Sequence, residues 1–468
     1  MSSSGIMMMM STTTLVMIMM ILLLLVNEAA GLFDNIVDRL SSIFSKDAGS
    51  DGSDGTVPVE GAIKVHVLLN GDHDNGRSIY ITPRDCQRRS VYIGEIVCPK
   101  LQFQKTCTLY SSVGRKIDSC QDIKNDDSIY MVASGRWFMW PTHSIGHQVQ
   151  IDHVQTSTGS PVIMETLSQS PRVYSLKNFI SDAEADQLID NALTITEENY
   201  RLKRSSTGAQ GYHVDNYRTS EGAFDTHSEA AVALKKRSFE LLGMPYDETF
   251  SDGLQVLRYN LTTAYIPHLD WIEPTPGTGH DWDSSGEGTN RYATILFYLS
   301  DVLDGGETVF TQAKQNSDSK FATKSDATTD TIAYLDSKNL THHFPENSWQ
   351  RNMIVECRSR LSVKAYKANA IMFYSQHADG APDRLSLHGG CPVLEGTKWA
   401  ANFWIWNGPR SGYSTGRSKA NANPSNVHLS VTTKDVTGAK LYWEDQYWDD
   451  MTPGKVIRLS LPEARRGI

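Results

Sequence analysis

The sequence predicts an α+β protein whose core is a β-barrel or jelly roll packed against the helices that precede it. Two observations carry this. From Gly253 to Trp406, strand-like runs such as "GLQVLRYN", "RYATILFYLSDV", "ETVFT", "LSVKAYKANAIMFYSQ" and "KWAANFWIW" follow one another across Gly- and Pro-bearing turns. Just before them, "SDAEADQLIDNAL" and "EAAVALKKRSFELLG" have helical spacing. Ser181 is placed to cap the first, with Leu188, Ile189 and Leu193 spaced to share a face, and Gly243 ends the second.

The 468 residues, 40% hydrophobic and 21% charged, suffice for two or three domains with a sizeable core. A net charge of −10 without a long Lys/Arg run argues against nucleic acid as a partner.

In chain order, residues 1–31 read as a signal peptide or a retained signal anchor. The apolar run Leu15 to Val26 is followed by the small residues Ala29, Ala30 and Gly31, and no positive segment precedes it. Either reading places the folded part in the secretory pathway: the endoplasmic reticulum or Golgi lumen, or outside the cell. A membrane becomes a partner only if the segment is retained.

Residues 32–61 form a linker, rich in Gly, Ser and Asp from Ser45 onward. Residues 62–160 read as a small β-rich, β-grasp-like domain built on "IKVHVLL", "SIYIT", "SVYIGEIV" and "SIYMVA", suited to binding or positioning. The main domain spans 171–409, and residues 410–468 read as a linker and a small C-terminal β-rich unit.

Six cysteines fit an oxidising compartment. Cys86, Cys98, Cys107 and Cys120 form one group and Cys357 and Cys391 another, with disulfides expected within each group. "NLT" at Asn260 and at Asn339 matches the glycosylation acceptor pattern, though the closeness of Asn260 to His268 argues against a sugar there. The polar stretch from Thr311 to Glu356 is read as a lid or a mobile functional insertion.

The chemistry gathers around "AYIPHLDWIEP", Ala264 to Pro274. On a strand, His268 and Asp270 point to one side. His388 supplies a third ligand, followed by Gly389 and Gly390, which allow a tight turn. Two histidines and a carboxylate hold Fe(II) with coordination positions left open, though zinc accepts the same set. Lys398 favours iron. It sits ten residues later in an aromatic strand with Trp399, Phe403, Trp404 and Trp406, where a buried ammonium needs an anion such as the distal carboxylate of 2-oxoglutarate. The bland alternative is a strand lysine that snorkels to solvent.

Together, "PRVYSLKNFISDAEADQLI", "RTS" (Arg218 to Ser220), "YIPHLDW", "RYATILFYLSDVLDGGETVF" and "SLHGGCPVLEGTKWAANFW" resemble the prolyl 4-hydroxylase family of Fe(II)/2-oxoglutarate dioxygenases, in order, from Pro171 to Trp406. The resemblance implies a double-stranded β-helix, with iron held at His268, Asp270 and His388. It implies that Lys398 pairs with the C5 carboxylate of 2-oxoglutarate and that Tyr259 hydrogen-bonds it. Thr294 and Tyr298 share a strand face and line the same pocket, Tyr298 reading equally well as a core residue. Trp404 walls the pocket or packs as a core aromatic. Cys357 and Cys391 sit where similar enzymes carry cysteines.

The implied reaction consumes dioxygen and 2-oxoglutarate, converts proline in a peptide or protein to 4-hydroxyproline, and releases succinate and carbon dioxide. L-ascorbate is the implied reductant that rescues oxidised iron. The sequence departs from the minimal family layout in two long segments, carrying His280, Asp281 and Asp283 in one and His342 and His343 in the other. These leave the substrate open: the same chemistry on another side chain or a small molecule is the alternative. A non-catalytic binding barrel would show a missing ligand, and a zinc hydrolase would not need Lys398.

Overall fold

The structure, a computed structural model, describes residues 59–410 except 88–91, 102, 104–105, 206–216, 273–288, 314–320 and 322. The N-terminal segment, most of the linker, the C-terminal unit, and His280, Asp281 and Asp283 lie outside the described residues. Among the described residues, no helix is long and apolar enough to cross a membrane. The chain divides into two compact units, one ending at Met131 apart from Tyr110–Lys116, the other containing that segment and everything from Val132 onward.

The smaller unit holds β1 (Ile63–Leu69), β2 (Gly76–Ile81), helix α1 (Gly94–Lys100) and parts of β3 (Cys107–Ser111), β4 (Lys116–Ile117) and β5 (Asp127–Ala133). Its sheet order is β2-β1-β5-β3-β4, with β1 antiparallel to β2 and parallel to β5. "SVYIGEIV", expected as a strand, instead leads into α1. Ile93, Ile96, Val97 and Leu101 recur at helical spacing and join one buried cluster. A short apolar run fits a buried helix as well as a strand, and its length alone does not decide between them. Disulfides Cys86–Cys120 and Cys98–Cys107 join cysteines of the first group.

The larger unit contributes β6 (Gln148–Ile151), β7 (Val162–Gln169), β8 (Arg172–Lys177), α2 (Asp182–Thr194), β9 (Lys203–Arg204), β10 (Glu221–Asp225), α3 (Glu229–Leu241) and β11 (Leu254–Tyr259). Then come β12 (Tyr265–His268), β13 (Arg291–Tyr298), β14 (Asp304–Gly305), β15 (Thr308–Phe310), α4 (Lys324–Ser337), α5 (Trp349–Ser359), β16 (Leu361–Val363), β17 (Asn369–Tyr374), β18 (His388–Gly390), β19 (Val393–Glu395) and β20 (Lys398–Trp406). Nine strands form one sheet in the order β6-β7-β8-β17-β13-β20-β11-β10-β9, and four form another, β12-β18-β15-β16. β6 and β7 belong to the large sheet, and the larger unit takes in the chain from Val132 onward.

One buried cluster joins the two sheets: Leu257, Leu296, Tyr298, Ile371, Phe373 and Ala400 from the large one meet Tyr265, Ile266 and Phe310 from the small one. The opposite face of the large sheet packs on the helical side, with Phe239 of α3 beside Phe403 and Phe179 stacked on Phe297. Burial on both faces explains why β13 and β20 read as nearly unbroken apolar runs.

Ser181 and Glu184 form the capping box that starts α2. Glu184 also pairs with Arg237 of α3 at 2.8 Å, both groups buried. Gly243, at φ +63°, takes the left-handed conformation after α3.

The Thr311 to Glu356 stretch is not the loop that its composition suggested. Its described part holds α4, opened by the Thr323/Asp326 capping box, and α5, opened by Ser348. Helix α4 buries only Ala327, Thr331 and Leu335, a stripe one residue wide per turn and too thin to show as hydrophobic periodicity. Helix α5 packs on β12, β15 and β16, and Cys357 near its end is bonded to Cys391, just after β18.

Candidate active site

His268, Asp270 and His388 bring one ligand atom each within 4.8 Å of one another. The sheet explains part of this. His268 ends β12 and His388 begins β18, and the two are register partners in the antiparallel pair. Asp270 lies beyond the end of β12 rather than on the strand face expected from the HxD spacing. The turn still returns its carboxylate to the two imidazoles, with Oδ1 3.8 Å from His268 Nε2 and Oδ2 3.6 Å from His388 Nε2.

Each imidazole is fixed from behind. Nδ1 of His268 lies 2.9 Å from the Ile266 carbonyl and Nδ1 of His388 lies 3.0 Å from that of Ser386. A carbonyl only accepts, so Nδ1–H donates in both, leaving the Nε2 lone pairs aimed at the cluster. Burial, reinforced by His388, pushes His268 down to about 3, which keeps that ring neutral and able to ligate. Burial would raise the Asp270 carboxyl, but His388, His268, Arg291 and the Thr294 hydroxyl outweigh it and hold it below its ordinary value.

Gly389 has a role other than the turn expected of it. It lies in β18, where an added Cβ would sit 2.9 Å from the Tyr265 carbonyl oxygen and 2.7 Å from Met353 Cε. The residue is glycine because β12 and α5 close on it.

Two cavities meet at His268. The inner one, about 390 Å³, is bordered by Tyr259, His268, Thr308, His388, Lys398 and Asn402 among others. Lys398 is 3% exposed, and among the described residues its ammonium forms no ion pair. It lies 5.3 Å and 5.5 Å from the ring centres of Tyr259 and Tyr298. Burial pushes it down to about 8, offset only in part by Glu307. A buried ammonium facing a cavity without a carboxylate partner fits an anionic ligand. The donor set nearby, two imidazole nitrogens and one carboxylate, fits a divalent metal with open positions.

The outer cavity, about 1040 Å³, is bordered by Arg218, Gln255, Tyr265, Asp270, Arg291 and Trp404 among others. Arg291 stacks over Trp404 at 4.1 Å, pairs with Asp252 at 3.0 Å, and reaches within 3.8 Å of Asp270. Tyr265 stacks on the His268 ring at 3.9 Å, with Arg218 above it at 4.7 Å.

A family model described as the 2OG-Fe(II) oxygenase superfamily matches residues 254–406. Prolyl 4-hydroxylase 2 of Arabidopsis thaliana is 30% identical over 250 residues, covering 53% of this chain and 71% of that protein. The chain belongs to the prolyl 4-hydroxylase family. Probable prolyl 4-hydroxylase 3 of the same plant is 32% identical over 52% of this chain and 71% of its own length. Among solved structures, the viral collagen prolyl hydroxylase of Paramecium Bursaria Chlorella virus-1 shares 20% identity over 50% of this chain and 95% of its own, with a TM-score of 0.31.

In this prolyl 4-hydroxylase family member, the sequence-derived residues divide between the two cavities. His268, His388, Lys398 and Tyr259 border the inner one. Thr294 does not border it. Its hydroxyl donates to Asp270 Oδ2 at 2.6 Å, so it holds a carboxylate rather than a cosubstrate. Tyr298 stands behind Lys398 and donates to Thr308 Oγ1 at 3.0 Å. Trp404 borders the outer cavity. Thr308, Tyr265 and Arg291 were not singled out from sequence. Thr308 lies in "GGETVF", within a segment that resembles the family, and alternation from Thr308 to Phe310 puts both on the inward face.

Proposed function

We infer that the protein is an Fe(II)- and 2-oxoglutarate-dependent dioxygenase that hydroxylates proline in a peptide or protein. The observation that carries this is one buried ammonium, Lys398, which forms no ion pair among the described residues and faces a cavity that also borders the His268, Asp270 and His388 cluster. A zinc hydrolase site has no use for that cation.

When bound, Fe(II) and 2-oxoglutarate supply the oxidising chemistry with dioxygen, 2-oxoglutarate leaving as succinate and carbon dioxide. The chain's own part is positioning. His268, Asp270 and His388 would hold the metal, and Lys398 would hold the far carboxylate of 2-oxoglutarate beside Tyr259 and Thr308. Tyr298, through Thr308, keeps that end of the cavity in shape. The wider outer cavity would take the peptide, with Tyr265, Arg291 and Trp404 beside the target proline. Its aromatic and guanidinium surfaces suit a proline ring and the carbonyl groups next to it.

We read the two sheets of the larger unit as a double-stranded β-helix, supported by the shared cluster between them and by two of the ligands standing on paired strands of the smaller sheet. The smaller unit is proposed to be β-grasp-like, from its order β2-β1-β5-β3-β4 with a helix after β2. L-ascorbate as reductant, action in the secretory pathway and an anchor at the N-terminus are proposed on the resemblance, the three disulfides and the apolar Leu15 to Val26 run.

Succinate release is the test, with Fe(II), 2-oxoglutarate, ascorbate and Pro-rich peptides. Peptide-stimulated release that is absent in His268→Ala supports the reading. Release that no Pro-rich peptide stimulates would move the search to other acceptors.

A further inference from the structure

The inward face of β20 carries Lys398, Ala400, Asn402 and Trp404 in alternation. The first three border the inner cavity, while Trp404 borders the outer one. Asn402 is therefore the last inner-cavity residue before the strand passes to the substrate side. Across the sheet it is the register partner of Gln255 on β11 and Leu296 on β13. Leu296 borders the inner cavity and Gln255 the outer, so Asn402 marks the division between them.

The next inward step fixes the scale. Trp404 is the register partner of Thr294, whose hydroxyl holds Asp270. Alternate residues on a strand are roughly 7 Å apart, so Asn402 stands about one step from the level of the metal ligand and two from Lys398. A molecule held at one end by Lys398 and reaching toward the ligand cluster would pass Asn402.

Its neighbour Gln255 already accepts a hydrogen bond from Arg218 at 3.0 Å. The half-buried Asn402 carboxamide, by contrast, has no hydrogen-bond partner among the described residues. An amide that lines a cavity without a protein partner is satisfied by what enters the cavity.

We propose that Asn402 is a positioning residue for the cosubstrate, its amide N–H donating to the anionic keto-acid end of 2-oxoglutarate while Lys398 takes the far carboxylate. The proposal rests on the reading of the inner cavity as the 2-oxoglutarate site. Held at both ends, the cosubstrate cannot slide along the cavity, and its consumption stays tied to hydroxylation of the peptide.

The test measures the dissociation constant of 2-oxoglutarate by calorimetry without dioxygen, on the Fe(II)-loaded full chain. The ratio of succinate to hydroxyproline is measured separately under turnover. Loss of one charge-assisted hydrogen bond in Asn402→Leu should weaken binding roughly tenfold and raise the ratio. Asn402→Asp, which sets a carboxylate against an anion, should weaken it further, and Asn402→Thr, which keeps a donor, should recover most of it. Melting temperatures identify any variant that fails to fold, and the remaining two still decide the matter. Unchanged affinity in the folded Leu and Asp variants, with Lys398→Met losing affinity, would overturn the role of Asn402 alone. Absence of 2-oxoglutarate binding to the wild-type chain would overturn the reading beneath it, and this proposal with it.

Discussion

Thr294 Oγ1 donates a 2.6 Å hydrogen bond to Asp270 Oδ2, so a residue on β13 fixes the one carboxylate of a cluster otherwise built on β12 and β18. Asp270 sits past the end of its strand, where the ladder does not hold it. Thr294→Val keeps the shape and removes the bond. It should lower Fe(II) affinity roughly tenfold, the usual cost of losing a partner behind a metal ligand. Thr294→Ser should retain most of the affinity, and a metal titration monitored by calorimetry distinguishes the two.

Lys398 makes 2-oxoglutarate binding depend on pH. Burial has lowered its pKa to about 8, so the ammonium is charged below that value and loses its proton as pH rises through it. Cosubstrate affinity should therefore be flat below pH 7 and fall above about pH 8. Lys398→Arg should remove that decline at alkaline pH while weakening affinity through altered geometry. For stability the sign is opposite. Burying the charged form opposes folding below about pH 8, and this cost is relieved as pH rises toward the ordinary lysine value.

Arg291 should act on the peptide rather than on the cosubstrate. It borders only the outer cavity, stacked on Trp404 and braced by Asp252. Arg291→Met should raise the KM for peptide roughly five- to tenfold and leave the KM for 2-oxoglutarate unchanged. Equal rises in both would place the residue elsewhere in the reaction.

The Cys357–Cys391 bond links the end of α5 to the segment that follows His388, across a sequence separation of 34. Chain entropy for a loop of that length gives about 3–4 kcal/mol. Paired Cys357→Ser and Cys391→Ser substitutions should lower the unfolding free energy by about that amount in denaturant melts.

Much of the site was legible because its chemistry is carried by residue types that are costly to bury. His268, Asp270, His388 and Lys398 stand among apolar neighbours where a polar side chain needs a reason; the first three suggest the ligand set and Lys398 the anion beside it. Thr308 and Tyr265 escaped notice because a threonine or tyrosine in a strand is ordinary, and only the cavity reveals its orientation. Arg291 opens β13, where a cation reads as a surface residue until its pairing with Asp252 is seen. For Thr294, strand alternation gives a face but not a partner, because what it binds depends on where the chain turns after His268.

Two helices are hidden in the sequence for a similar reason. Helix α1 hides in an apolar run too short to show its period, and α4 buries a stripe too thin to show one. Conversely, α2 announced itself through Ser181 and Glu184, whose reciprocal capping bonds are a local device that needs no tertiary context.

We infer that this site transfers oxygen from dioxygen to peptidyl proline. Its most direct test is turnover of a Pro-rich peptide under heavy-isotope dioxygen, with Fe(II), 2-oxoglutarate and ascorbate, followed by mass spectrometry of the peptide. One labelled oxygen atom is expected on the ring of proline, lost in His388→Ala. Labelled succinate without label on any proline, across peptides that the folded, iron-loaded protein binds, would contradict it.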